Sequence, residues 1–527
     1  MTDTTDNTGE KVVLQRAVWI CVALFAVRIT PWMASEFWYD EVVTLGDFAI
    51  GRPGWPLAGV FRYYPVANNH ILMSALMWCW VRLFQFNLNE VLMRLPAAMF
   101  GGLTIWWVVR CWSRDLGARV AFIAGLTLAI SPVFGAFACQ IRGYAPTLFL
   151  VTVLTTGALE LIGGRRQAAL PKVLATGFLL PLIIPSNVVV VGALALFVLI
   201  CPGAARPRSR RVQDMLWISV PGTLGVCYYL TILDQFLKVV RQTAGWESVW
   251  PVVGNVLLGA ALHLGIAAVV FALVLWRFWR VSESRATAAH IRRALSLLGA
   301  CAVAAFALAL VGERAPFPRV FLMFLPPVTY GVFLAVHEHA FWTRARLLVI
   351  AGLTVMCGFF WTRLADWRTT EQLREGLAPQ DLLQQYYRGR DELKELAGVY
   401  RKAPLFEDCI ILTSAHDFPT FRFYRVQRTG GRGATVAESR ISDELGPLRA
   451  RNPSAALLVV ALNETEAARI FGAAGYTGRF ELLISSEGVR GLYGPAGGMP
   501  GGSGAPRPSK EAPSTGPRAP TAADSRV

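Results

Sequence analysis

Charge is what this sequence has least of. Only 16% of its 527 residues are Asp, Glu, Lys or Arg, against 54% hydrophobic, and acids are scarcest in the first 360 residues. That balance excludes an ordinary soluble globular protein and points to a polytopic membrane protein. Nine cysteines are present, but no CxxC pair. Eight lie in or beside apolar segments and only Cys409 falls in the polar C-terminal third. Neither a disulfide framework nor a cysteine metal site is therefore expected. No internal repeat of fixed period is visible, which argues against a solenoid. The first ten residues are acidic and polar, and no small-residue cleavage site follows the first apolar run. Residues 12–30 are therefore expected to be a retained membrane helix rather than a signal peptide.

The formal charge is +16. A basic chain is one signature of a nucleic-acid binder. Here many arginines sit in short stretches between apolar segments, as in cytoplasmic loops. No nucleic-acid partner is expected.

A membrane helix needs about 20 apolar residues. Eleven segments qualify, some of them short: 12–30, 94–112, 118–137, 144–162, 171–185, 188–202, 214–232, 253–276, 294–311, 319–338 and 345–362. The segment 70–86, "HILMSALMWCWVRLFQF", is apolar too, but short and interrupted by Arg82. If it does not span, the arginine-rich loops around 110–119, 165–172, 206–211, 277–293 and 344–346 all fall on the cytoplasmic side. If it spans, all of them move outside. The positive-inside bias favours an interfacial or re-entrant helix. Eleven spans put the C-terminal third outside the cytoplasm. Residues 31–93 then form a first outer loop, with 41–50 and 56–64 as further helices on the membrane. Residues 233–252 read as another interfacial helix, with Trp246 and Trp250 near headgroup level.

The expected fold is thus mainly α: a membrane bundle over 12–362 after a cytoplasmic N-terminus (1–11). A small extracytoplasmic α/β domain follows over 363–494. Its expected elements are a charged helix at 380–400, short buried strands at 408–414 and 455–462, and a third at 479–486. From about 495 the chain is a Gly/Pro/Ser-rich disordered tail.

Charged groups at membrane depth are functional candidates. Arg28, Asp40, Glu41, His70, Arg142, Glu313, Arg314 and Arg319 converge on the outer side in this topology. In "EFWYDEVVTLGDF" (36–48), Asp40 has the chemistry of a general base toward a hydroxyl. Glu41 would hold a sugar hydroxyl, help bind a divalent cation, or face water; alone, the pair also reads as a solvated loop. In "YYPVANNHI" (63–71), Asn69 and His70 offer donors and acceptors for a sugar or phosphate, while Asn68 or Asn69 also suits a helix N-cap. In "CQIRGYAP" (139–146), Arg142 suits a phosphate, with Tyr144 beside it, and equally a snorkelling arginine with a belt tyrosine. Arg314 and Arg319 in "GERAPFPRVFLMFLPP" are open to the same two readings. "HEH" (337–339) and the triplet Asn463-Glu464-Thr465 carry no functional expectation.

Taken in order, "WYDEVVTLGDFA", "NNHILMSALMWCWVRLF", "EVLMRLPAAMFGGLTI" and "SPVFGAFACQIRGYAPTLFL" form a recognisable set. Over roughly residues 12–165 the chain resembles the GT-C membrane glycosyltransferases, which include protein O-mannosyltransferases and the bacterial aminoarabinose transferase. The resemblance implies a multi-pass protein of the plasma (inner) membrane that takes a sugar from a polyprenyl-phosphate donor. Its acceptor would be a glycan, lipid or protein outside the cytoplasm. Asp40 aligns with the catalytic base and Glu41 with the adjoining acid. Asn69-His70-Ile71 aligns with the family's "HPP" segment, both prolines being absent here. Gln140–Tyr144 aligns with its acidic-Ala-Arg-x-Tyr segment, with Gln140 in place of the acid and Arg142 and Tyr144 retained. Arg142, with Arg314 or Arg319, would stabilise the leaving phosphate, and direct attack would invert the anomeric carbon. Some members use a divalent metal and others do not. The competing readings are a lipid-linked saccharide flippase, which would show paired halves with broken helices, and a non-catalytic scaffold.

Overall fold

The computed structural model describes residues 7–51, 55–66, 69–201, 207–242, 249–265, 267–269, 272–273, 276, 285–311, 318–336, 348–360, 363, 392–399, 409–415, 417–429, 434–486 and 490–496. Each of the eleven apolar segments falls at least partly on helix in that range. Six described helices are long and apolar enough to cross a membrane: Val12–Ala34, Glu90–Ile130, Tyr144–Ile162, Arg208–Arg241, Ala288–Leu308 and Arg319–Val336. Shorter apolar helices cover Ile71–Leu83, Pro185–Ile200 and Leu348–Phe360.

The helices that build the site have local causes. Helix α1 (Asn7–Ala34) packs against the long α5 (Glu90–Ile130). Asn89 caps α5 by accepting the Leu92 amide at 3.1 Å. Gly117, at φ +74°, breaks α5 in its middle, a conformation that only glycine adopts cheaply. Two expected spans, 94–112 and 118–137, therefore meet at one residue. Ser131 ends α5 and caps the short α6 (Pro132–Ala138), accepting the Phe134 amide at 3.2 Å, with Pro132 at the first position. The chain then turns through 139–143 into α7 (Tyr144–Ile162).

Between α1 and α5 lie α2 (Tyr39–Val43), a π-helical segment (Thr44–Ile50), α3 (Leu57–Arg62) and α4 (Ile71–Leu83). These are the short helices expected for 31–93. Arg82 ties the end of α4 to its neighbours, and the chain leaves the helix at Gln85 and Phe86, both at positive φ. The Arg82 guanidinium lies 3.8 Å from the Trp78 ring centroid and donates to the carbonyls of Ala49 (2.8 Å) and Trp55 (3.3 Å). The helix begins at His70 with no side-chain cap. Asn69 is not that cap; it donates to the carbonyls of Val60 and Tyr63, at 3.1 and 2.9 Å. Asn68 lies outside the described residues. In the second expected outer stretch, Leu233–Gln242 is helical and docks on this region: Gln235 accepts the Tyr64 amide at 2.8 Å and donates to the Arg62 carbonyl at 2.9 Å. A further helix starts at Val249, and Trp250 on it is exposed. Trp246 lies outside the described residues.

Among the described residues the C-terminal domain has five strands, two more than expected. They are β1 (Ile410–Thr413), β2 (Ala434–Ala437), β3 (Leu457–Ala461), β4 (Phe480–Ser486) and β5 (Arg490–Pro495), in the order β2-β1-β3-β5-β4. The first three pair in parallel, while β5 is antiparallel to both β3 and β4. Of the charged helix, Glu392–Val399 is described; the remainder of 380–400 and residues 497–527 of the expected tail lie outside the described residues. One sheet face (Ile410, Leu412, Leu457, Val459) packs with Ile441, Leu445, Ile470 and Phe471 of two helices. The other (Cys409, Ile411, Leu458, Val460, Leu492) forms one core with Phe37, Val42, Leu45, Met73, Met77, Leu393, Leu396, Phe421 and Tyr424. Each fully buried apolar side chain is worth about 1.5–3 kcal/mol, against about 0–1 kcal/mol for an exposed ion pair. Apolar contact, not surface charge, therefore seats the sheet domain on α2, the π-helical segment and α4.

Candidate active site

Asp40 opens α2, a helix of five residues, too short to hold itself. Its surroundings fix it. The Asp40 carboxylate is 5% exposed and pairs through Oδ2 with two guanidiniums: Arg142, in tight contact, and Arg319, at 3.3 Å. Arg142 comes from the 139–143 turn, and Arg319 from the 3₁₀ segment Pro318–Phe324, 279 residues further along the chain than Asp40. His70 lies beside them. Its Nδ1 accepts the Gly143 amide at 2.6 Å, and its Nε2 is 3.4 Å from Arg142 Nη2. Burial, with Arg142 and then Arg319 adding repulsion, holds the imidazole well below its ordinary value. It is thus neutral, with the proton on Nε2 because Nδ1 is an acceptor. The Tyr144 ring completes the wall, edge-on to His70 at 5.5 Å, with the Arg142 guanidinium 5.0 Å from its centroid. The sequence motifs around 40, 70, 142 and 319 therefore meet in one place.

Glu41 is handled differently. It is fully buried, and each oxygen accepts two hydrogen bonds. Oε1 takes Arg94 Nε and the Ile141 amide, both at 2.9 Å; Oε2 takes Arg94 Nη2 at 2.5 Å and the Trp38 amide at 2.9 Å. Arg94 also donates to the carbonyls of Trp32 (2.8 Å), Ser35 (2.6 Å) and Glu36 (2.7 Å). Glu41 is therefore not turned to a sugar, a cation or water; it ties the Asp40 segment and the Arg142 turn to α5. Arg94 had no place among the expected site residues. Its signal was an arginine in the apolar run "EVLMRLPAAMF", which a buried partner must neutralise.

Asn69 is wholly buried and its amide nitrogen is spent on backbone, so it shapes the turn before His70. Arg28 stands over Trp32, 4.5 Å from the ring centroid. Glu313, Arg314 and the "HEH" segment lie outside the described residues. Asn463 is a helix cap, accepting the Glu466 amide at 2.9 Å. Among the described residues, the donors around Asp40 do not suit a divalent cation. Both Glu41 oxygens are filled, Asp40 faces two guanidiniums, and among the described residues no three His, Cys, Asp or Glu side chains gather.

No protein-family model and no curated protein matches the sequence. Solved structures do share its fold. ArnT from Cupriavidus metallidurans in the apo state is 15% identical, with 90% of this chain and 97% of that one covered at a TM-score of 0.50. The same protein bound to undecaprenyl phosphate is 16% identical, over 92% and 98%, at 0.49. Archaeal oligosaccharyltransferase AglB from Archaeoglobus fulgidus, with an inhibitory peptide and a dolichol-phosphate, is 13% identical over 93% and 74%, at 0.48. At such identities a likeness speaks for fold alone: this chain, a helical bundle with six described helices long and apolar enough to cross a membrane and a small sheet domain, shares the fold of ArnT.

Proposed function

We propose that this chain is an integral-membrane glycosyltransferase that moves a sugar from a polyprenyl-phosphate donor to an acceptor hydroxyl outside the cytoplasm, with Asp40 as general base. One observation carries the reading. A single carboxylate is held by two guanidiniums, and a neutral imidazole lies against one of them, next to the membrane helices. Those three donors suit a phosphate, and the carboxylate suits the hydroxyl that displaces it.

The acceptor oxygen attacks the anomeric carbon as the bond from that carbon to the phosphate oxygen breaks. The electron pair leaves with the phosphate and the hydroxyl proton goes to Asp40, so the configuration inverts. Arg142, Arg319 and the His70 Nε2–H stabilise the charge that develops on the leaving phosphate. Tyr144 walls the same site. Glu41 serves through Arg94, by keeping Asp40 and Arg142 in register. Before donor binds, Asp40 occupies the same guanidiniums a phosphate would take. Donor binding therefore releases the carboxylate for its role as base, and the donor binds first. The bilayer supplies the lipid donor. Multi-pass residence in the plasma (inner) membrane follows from the same reading, with the sheet domain and the site on its extracytoplasmic side.

The test is Asp40→Asn, assayed for transfer from radiolabelled polyprenyl-phosphate sugars extracted from native membranes. Loss of about 10²–10⁴-fold in rate is expected for a general base. Full transfer by that variant would refute the assignment, and label crossing the bilayer without a new glycosidic bond would mark a flippase.

A further inference from the structure

The segment that carries Asp40 is gripped from two sides. Arg94 holds it through the bundle. The other grip comes from the sheet domain, across more than 350 residues of sequence. Glu36 Oε2 accepts the amides of Leu393 and Lys394, at 2.9 and 3.0 Å, in the first turn of the helix Glu392–Val399. The next residue, Phe37, donates its amide to the Tyr424 hydroxyl at 2.7 Å. That hydroxyl donates in turn to Glu90 at 3.1 Å, and Lys394 Nζ reaches the same Glu90 oxygen at 2.8 Å. The Phe37 ring is fully buried, with Phe423 edge-on at 5.6 Å and Tyr424 stacked at 6.3 Å. The Arg94 guanidinium lies 5.2 Å from the same ring.

From these contacts we infer that the C-terminal domain is part of the catalytic apparatus, with Tyr424 as a positioning residue for Asp40. The inference rests on the glycosyltransferase reading above. Asp40 follows Phe37 by three positions, and the five-residue helix that holds it, before the π-helical segment, has no stability of its own. Its place is set by what holds its ends. Arg94 and Glu41 fix the segment to the bundle, while Tyr424 and the 392–399 helix fix it to the domain. The Tyr424 hydroxyl touches both the segment (Phe37) and α5 (Glu90). Removing it leaves the buried Phe37 amide without its acceptor, so the segment shifts to find another. A displacement of about 1 Å at a reacting group costs on the order of 100-fold in rate.

The experiment uses the full chain in detergent or nanodiscs, with Tyr424→Phe and, as a milder second variant, Glu36→Gln. Three quantities are measured: amide exchange over 36–43, affinity for undecaprenyl phosphate alone, and transfer rate at saturating radiolabelled donor pool. The expected result is faster exchange over 36–43 and a transfer rate lower by about tenfold or more. Phosphate-lipid affinity does not fall, since Arg142 and Arg319 sit on other elements and a displaced Asp40 competes for them less. Unchanged exchange overturns the inference. So does faster exchange with unimpaired transfer, which would make the domain a mere anchor. Equal loss of lipid affinity and rate would also overturn it, as general unfolding. The reading of Asp40 as base fails separately, through Asp40→Asn, and leaves the exchange result standing.

Discussion

Glu41→Gln separates a holding role from a chemical one. The wild-type carboxylate accepts four hydrogen bonds, two at each oxygen: Arg94 Nε and the Ile141 amide at one, Arg94 Nη2 and the Trp38 amide at the other. A glutamine keeps one oxygen and puts an NH₂ group where the other was. Whichever way the amide is turned, that NH₂ faces two donors, one from Arg94 and one from backbone. Two buried N–H groups lose their acceptor, and the Arg94 charge loses its counter-ion. Each orphaned donor costs about 1–3 kcal/mol, and breaking a buried ion pair from one side costs about 3–5 kcal/mol. The two overlap, so the larger figure bounds the effect. At about 1.4 kcal/mol per decade, local opening becomes roughly two to four orders of magnitude more frequent. Amide exchange read on peptides covering 36–43 and 139–144 measures this without assuming two-state unfolding. Both regions lose protection, and transfer falls with them. Asp40→Asn keeps an oxygen for Arg142 and loses no contact to a backbone amide, so transfer falls far more than protection does. If Glu41→Gln kept full protection yet abolished transfer, Glu41 would act on substrate and the holding role would be refuted.

The remaining expectations concern the anion site. Arg142→Gln and Arg319→Gln each weaken binding of undecaprenyl phosphate by about tenfold or more, a charge-assisted hydrogen bond being worth about 1.5–3 kcal/mol; titration calorimetry reads this. Asp40→Asn strengthens the same binding, because the carboxylate no longer competes for both guanidiniums; weaker binding in that variant would contradict donor-first order. His70 titrates well below its ordinary 6.5 in the folded chain. Its contribution to stability is complete above pH 6.5 and is lost as pH falls below it, by at most about 1.4 kcal/mol per pH unit. A thermal-melt series from pH 7.5 to 5 on wild type and His70→Gln isolates that slope, which the variant loses. Gly143→Ala places a Cβ 2.5 Å from Ile183 Cγ2 and 3.0 Å from His70 Nδ1. Overpacking of this kind costs about 1–3 kcal/mol, read as a lower melting temperature together with weaker lipid binding.

Much of this molecule is written locally. Apolar runs long enough to cross a membrane, the scarcity of acids and the arginine-rich loops gave a helical membrane bundle. The positive-inside bias made 70–86, short and interrupted by Arg82, read as interfacial, and α4 is a 13-residue helix. The strands at 410–413, 457–461 and 480–486 were legible because each is a continuous apolar or alternating run. The strands at 434–437 and 490–495 were not: "ATVA" and "RGLYGP" carry too few apolar residues, and pairing with β1, β3 and β4 decides them. Within the site, residue types could nominate Asp40, His70, Arg142, Tyr144 and Arg319, since charged and aromatic groups beside membrane helices are conspicuous. They could not divide labour between two adjacent carboxylates. Asp40 and Glu41 differ by one residue, which on a helix turns one toward Arg142 and Arg319 and the other toward Arg94. Nor could sequence show that Phe37 meets Tyr424, because a contact across 387 residues follows from how the sheet domain docks, and docking depends on the shape of a shared core that no single segment contains.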